Sequence, residues 1–89
     1  NLLFKKQEYD EAVEMYLKAF ELNKEFSLPL LKLGDVYLEN GQLEDAELAY
    51  KSALKVEEMP ETYLRLGVLN NIRQRYRIAE EYFRKGLSL

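Results

Sequence analysis

The sequence predicts an all-α protein made of antiparallel helical hairpins stacked side by side, and three observations carry that prediction. Apolar residues recur at three- and four-residue intervals, as in Leu30, Leu33, Tyr37, Leu38 and again in Ala46, Tyr50, Ala53, Leu54. The chain is also similar to itself. A shift of 34 lays Tyr9 on Leu43, Ala12 on Ala46, Tyr16 on Tyr50, Ala19 on Ala53 and Phe20 on Leu54. A shift of 33 then lays Leu33-Gly34 on Leu66-Gly67, Ala46 on Ala79, Tyr50 on Phe83 and Leu54 on Leu87. Finally, turn and helix-start residues punctuate the apolar segments, and no stretch alternates as a strand would.

Taken in order, the helical pieces fall at about 1–6, 10–23, 28–40, 44–57, 60–73 and 77–89. Ser27 is a residue type that caps a helix, and Pro29 sits in the first turn, where its missing N–H costs little. Asn40-Gly41 ends that helix, with Gly41 suited to a left-handed terminus. Pro60 opens the fifth piece, and Glu61 favours its positive N-terminus. The residue lost between the two shifts belongs to the Glu57–Pro60 connection, since a loop absorbs a deletion without rotating a helical face.

Small residues sit where helices must approach. Gly34 and Gly67 lie on the first helix of each pair, and Ala12, Ala46 and Ala79 on the second. They allow axes near the short end of the usual range of about 8–10 Å. Ala19, Ala53 and Gly86 do the same towards the next pair, and Tyr16, Tyr50 and Phe83 fill the space between neighbours.

Composition narrows the chemistry. The 89 residues hold one small domain, with no Cys, His or Trp. No disulfide, thiolate zinc site or thiol nucleophile is therefore available, nor the commonest metal ligand and general base. The hydroxyls of Ser27, Ser52, Thr62 and Ser88 have no imidazole to activate them. The expectation is no catalytic, cofactor or metal site, and Glu57-Glu58 reads as a solvated pair. Thirteen basic and 16 acidic residues leave a net charge of −3, unevenly spread. Residues 60–89 carry six basic and three acidic side chains, while residues 1–59 carry seven and 13. A duplex-binding protein shows a larger basic surplus, and the longest apolar run, Leu2-Leu3-Phe4, is too short for a membrane. Nucleic acid and membrane are therefore not expected partners, and the absence of cysteine fits the cytoplasm.

The repeated pattern resembles the tetratricopeptide repeat. Its order of a bulky residue, Leu-Gly, an aromatic, Ala, a second aromatic and a late Ala stands here as Leu30, Leu33-Gly34, Tyr37, Ala46, Tyr50 and Ala53. It recurs as Tyr63, Leu66-Gly67, Asn70 in place of the aromatic, Ala79, Phe83 and Gly86. An earlier half-copy keeps Tyr9, Ala12, Tyr16 and Ala19. Glu58 stands where the family has proline, with Pro60 two residues later. The resemblance implies a right-handed solenoid in three parts. Residues 1–26 form a partial repeat, the end of a first helix plus a second helix. Residues 27–59 form a complete repeat, and residues 60–89 a nearly complete one lacking a capping helix. At about 2.6 periods the length reads as a segment of a longer array.

The resemblance further implies a protein-interaction module that binds a peptide or helix in the concave face lined by first helices. The groove residues so assigned are Phe4, Leu28, Leu31, Asp35, Leu38, Glu39, Leu64, Arg65, Val68, Asn71 and Ile72. Leu64, Val68 and Ile72 form an i, i+4, i+8 stripe, additional to Tyr63, Leu66 and Leu69, which face the helix pairing. The residue set with which some such repeats clamp chaperone C-terminal tails does not transfer. Lys32 and Glu61 replace an Asn and a Lys, and Glu61 repels a carboxylate.

Arg73, Arg75 and Arg77 cluster on the last turn, where guanidinium forks suit an acidic partner. The alternative there is a solvated turn paired with Glu39, Glu44 and Asp45. Other functional readings stay open: a regulatory or substrate-selecting part of a larger enzyme, self-association through apolar ends, and packing on adjacent repeats.

Overall fold

The computed structural model describes residues 6–89, which form five helices and no strand. They are α1 (Lys6–Leu22), α2 (Leu28–Glu39), α3 (Leu43–Val56), α4 (Pro60–Ile72) and α5 (Tyr76–Ser88). Connections of three to five residues make consecutive helices antiparallel neighbours. Substantial packing runs between chain neighbours: α1 on α2, α2 on α3, α3 on α4 and α4 on α5. The result is a flat stack with extents of 36 × 32 × 15 Å.

Four of the helices match the periodicity to within a residue or two, and the first departs from it. A break was expected across residues 7–9, but α1 runs unbroken from Lys6. The two later turns each contain a left-handed residue, Gly41 at φ 78° and Gln74 at φ 62°. At the equivalent place Gln7 lies between helix-favouring Lys6 and Glu8, and its amide donates along the helix to Glu11 Oε2 at 3.4 Å. Nothing there stops the helix. The piece expected at 1–6 lies outside the described residues apart from Lys6.

Both left-handed turns close alike. Gln42 N–H donates to the Tyr37 carbonyl at 2.9 Å, and Gly41 N–H to that of Leu38 at 3.0 Å. One period later, Arg75 N–H donates to Asn70 at 2.8 Å and Gln74 N–H to Asn71 at 2.9 Å. These paired bonds satisfy carbonyls that a helix C-terminus would leave bare. At the opposite ends Pro29 and Pro60 stand in the first turns of α2 and α4 as expected. Ser27 does not cap with its side chain. Its hydroxyl donates instead to Glu57 Oε1 at 3.1 Å, which ties the start of α2 to the end of α3.

The core lies along the seams. Leu31, Ala46, Tyr50, Leu66 and Leu69 form one buried cluster, uniting α2, α3 and α4. Leu30, Leu33, Ala49 and Ala53 form another, against which Val13, Tyr16 and Phe20 of α1 pack. The two glycines serve the same close approach. A Cβ on Gly34 would stand 2.5 Å from Cε1 of the Tyr50 ring, and one on Gly67 2.5 Å from Cε1 of Phe83. The α2–α3 and α4–α5 hairpins are therefore two castings of one packing solution. Asn70 stands at the position of Tyr37; it is buried and donates Nδ2 to the Leu66 carbonyl at 2.8 Å. That bond keeps a buried amide satisfied where the earlier hairpin uses an aromatic ring.

Candidate functional site: the face of the first helices of each hairpin

The candidate surface is built on α2 and α4. Helical periodicity puts Leu28, Asp35, Leu38 and Glu39 on one face of α2, and Leu64, Val68, Asn71 and Ile72 on the corresponding face of α4. Leu28, Val68 and Ile72 are 49%, 43% and 52% exposed, values far above those of the core leucines. Leu38, Leu64 and Asp35 are half-buried, and Glu39 and Asn71 are exposed.

Two residues of the expected set need separate treatment. Leu31 is only 2% exposed, so it belongs to the core and not to an open surface. Leu66 and Leu69 of α4 share its cluster and cover it. Its counterpart one period later, Leu64, is half-buried. Phe4 lies outside the described residues.

At the centre of the surface is a polar node that the sequence reading did not find. Asp35 Oδ1 accepts from the Tyr50 hydroxyl at 2.5 Å and from Arg65 Nε at 3.0 Å. One carboxylate oxygen thus links α2, α3 and α4. Burial, then the Asp35 carboxylate, push the Tyr50 hydroxyl far above its ordinary range, so it stays a donor at all physiological pH values. By sequence Asp35 and Arg65 are groove residues and Tyr50 fills the core. A signal for their connection did exist within the chain: a shift of 33 replaces Asp35 with Val68 and Tyr50 with Phe83, so acceptor and hydroxyl vanish together.

The arginine cluster is divided. Arg73 Nη1 donates to Glu47 Oε1 at 3.0 Å, with Glu47 Oε2 taking Lys51 at 3.3 Å. Its partner is therefore Glu47 on α3, not Glu39, Glu44 or Asp45, because the end of α4 lies against the first turns of α3. Arg75 and Arg77 are exposed. An open depression of about 400 Å³ is walled by Glu44, Asp45 and Arg73, a mixture that partly cancels the arginine's field.

Among the described residues no three Asp or Glu side chains gather as a metal group, and no helix is long and apolar enough to cross a membrane.

The comparisons agree with this architecture. A family profile described as TPR repeat matches residues 1–41, and one described as tetratricopeptide repeat matches residues 31–88. No curated protein matches the chain. Tetratricopeptide repeats are in general protein–protein interaction modules on a typically non-catalytic fold. With paired helices in register at a 33-residue shift, glycines pressed against aromatic rings, and both profiles in agreement, the chain belongs to the tetratricopeptide-repeat family.

Proposed function

We propose that the chain binds a partner peptide or helix along the shared face of α2 and α4, as an interaction segment of a scaffold or adaptor. The observation that carries the reading is the exposure of Leu28, Val68 and Ile72 on helices whose other apolar faces are already buried. Leu30, Leu31, Leu33 and Val36 of α2 and Tyr63, Leu66 and Leu69 of α4 are the apolar side chains those helices bury in the core. A second apolar stripe on the same helices marks a contact surface. Asp35, Glu39 and Arg65 border it with charge, which favours an amphipathic partner over a wholly apolar one.

Affinity capture with Val68→Glu plus Ile72→Glu tests this. Retained proteins should be lost relative to wild type, while Leu48→Glu on the opposite side, an exposed position, leaves them in place. Circular dichroism and melting of all three proteins separate lost contact from lost folding. Equal capture by the groove variant and wild type rejects the reading. Arg75→Glu plus Arg77→Glu, run in parallel, reports whether the exposed arginines take an acidic partner.

A further inference from the structure

Away from the groove, the two hairpins fill the same place differently. A shift of 33 lays Leu30, Leu33, Ala49 and Ser52 on Tyr63, Leu66, Tyr82 and Lys85. In the α4–α5 hairpin the Tyr82 ring leans over Tyr63, with centroids 6.3 Å apart, and Lys85 Nζ stands 6.0 Å from the centre of the Tyr63 ring. The depression bordered there by Tyr82 and Lys85 holds about 140 Å³. In the α2–α3 hairpin the corresponding cleft holds about 220 Å³, and its lining reaches down to Leu30, Leu33 and Tyr37. Ala49 and Ser52 leave open what Tyr82 and Lys85 occupy.

The helix before each hairpin differs in the same sense. Val13 of α1 packs against the Leu30–Leu33–Ala49 cluster, and Leu17, one helical turn on, is 44% exposed. A shift of 34 turns these two into Glu47 and Lys51, which pair with each other at 3.3 Å. The later cleft therefore has charged neighbours and a ring of its own. The earlier one has apolar neighbours and no ring, and it lies over α2, inside the stack.

We propose that this cleft over Leu30, Leu33 and Ala49 receives one aromatic side chain from a partner peptide that carries a lysine or arginine beside it. The ring follows from the chain's own solution, since Tyr82 fills the equivalent place one period later. A space of about 220 Å³ is smaller than the ~300–1,000 Å³ of drug-sized pockets and suits a single side chain. The basic neighbour follows from charge. Asp45 lines the cleft, and α1 and α3 together carry eight acidic and four basic side chains. The groove reading stands or falls separately, because Leu28, Asp35 and Glu39 lie on the other face of α2 from Leu30, Leu33 and Tyr37.

The probe is N-acetyl-tyrosyl-lysine amide, titrated to millimolar concentration into the full chain with its leucine and alanine methyls labelled for NMR. Saturable shifts are expected at Leu30, Leu33 and Ala49. The tyrosyl-glutamate peptide should bind about fivefold more weakly, as one reversed charge contact near a surface implies. The leucyl-lysine peptide should also bind more weakly, for want of a ring. Ala49→Tyr supplies the chain's own ring and should abolish the shifts at unchanged helicity. Leu17→Lys plus Ser52→Lys changes only exposed positions, and should make the tyrosyl-glutamate peptide the better ligand.

The absence of saturable shifts, or equal binding of the three peptides, overturns the inference. So do shifts centred on Leu28, Val68 and Ile72, which would place the peptide in the groove. If Ala49→Tyr unfolds, the double lysine variant decides alone, and an unchanged peptide preference there overturns the inference. Sedimentation of the chain without peptide supplies another arm. A dimer whose formation moves the Leu30 and Ala49 methyls would assign the cleft to a second copy and overturn the inference equally, whereas a monomer supports it.

Discussion

In the α2–α3 hairpin the ring lying on the glycine is Tyr50, wholly enclosed, with its hydroxyl held by Asp35. In the α4–α5 hairpin the ring is Phe83, half-buried, and the residue opposite is Val68. The backbones and glycines correspond, yet one hairpin is sealed and the other is open. What separates them is the presence of a neighbour: α4 covers the first pair, and no helix among the described residues covers the second. Burial in a stacked array is a property of the adjacent unit as much as of the residue itself.

The sharpest way to break this comparison is to place a methyl where the glycines sit. Gly34→Ala forces the enclosed Tyr50 ring to move and should cost about 3 kcal/mol, at the upper end of overpacking effects. Gly67→Ala meets Phe83 at the same distance, but a half-buried ring can swing outward, so about 1–2 kcal/mol is expected. Urea unfolding of both variants measures the difference. Equal losses would mean that the open hairpin is as rigid as the closed one.

A smaller effect isolates the polar node. Tyr50→Phe removes a hydroxyl that the second hairpin lacks naturally, and should cost about 1–2 kcal/mol at neutral pH. It also changes the response to base. The folded Tyr50 keeps its proton to higher pH than the unfolded chain, whose tyrosines titrate near about 10. Its contribution is therefore complete below about pH 10 and falls above it by up to about 1.4 kcal/mol per unit. Unfolding at several alkaline pH values should show a shallower decline for Tyr50→Phe than for wild type.

The smallest contrast lies in the turns. Gly41 and Gln74 adopt the same left-handed conformation, and a Cβ at Gly41 would meet nothing within 4 Å. The difference there is one of backbone alone. Gln74→Gly should stabilise by about 0.5–1 kcal/mol and Gly41→Gln should destabilise by about 1 kcal/mol, read as opposite shifts in melting temperature.

The helices and the pairing of hairpins were legible because their causes are local: apolar spacing, Pro in a first turn and Gly at a left-handed end. Gly34 and Gly67 were legible for a related reason, since a glycine inside a helix needs a packing explanation. Three departures from the sequence expectation involve residues whose partner lies about 30 positions away. Ser27 has the chemistry of a cap, but Glu57 takes its hydroxyl. Leu31 has the spacing of a surface position, but α4 covers it. Arg73 was given the acids of the neighbouring turn, while Glu47, a helical turn further on, reaches it at 3.0 Å. The start of α1 failed differently: the period called for a turn, and the residues present there prefer helix. Of the candidate surface, the apolar stripe was readable from spacing, and the Asp35 node was not, because its three members come from three helices.

That node also bears on the order in which the chain acquires its structure. Packing between chain neighbours keeps loop closures short, so either hairpin can collapse on its own and quickly. The Tyr50–Asp35 bond joins residues within one hairpin, 15 positions apart, and needs nothing beyond it. The Arg65–Asp35 bond spans 30 positions and requires two structured units already in contact. The same oxygen therefore records an early event and a late one. Mutating Arg65 should leave the folding rate nearly unchanged and accelerate unfolding, whereas mutating Tyr50 should slow folding itself.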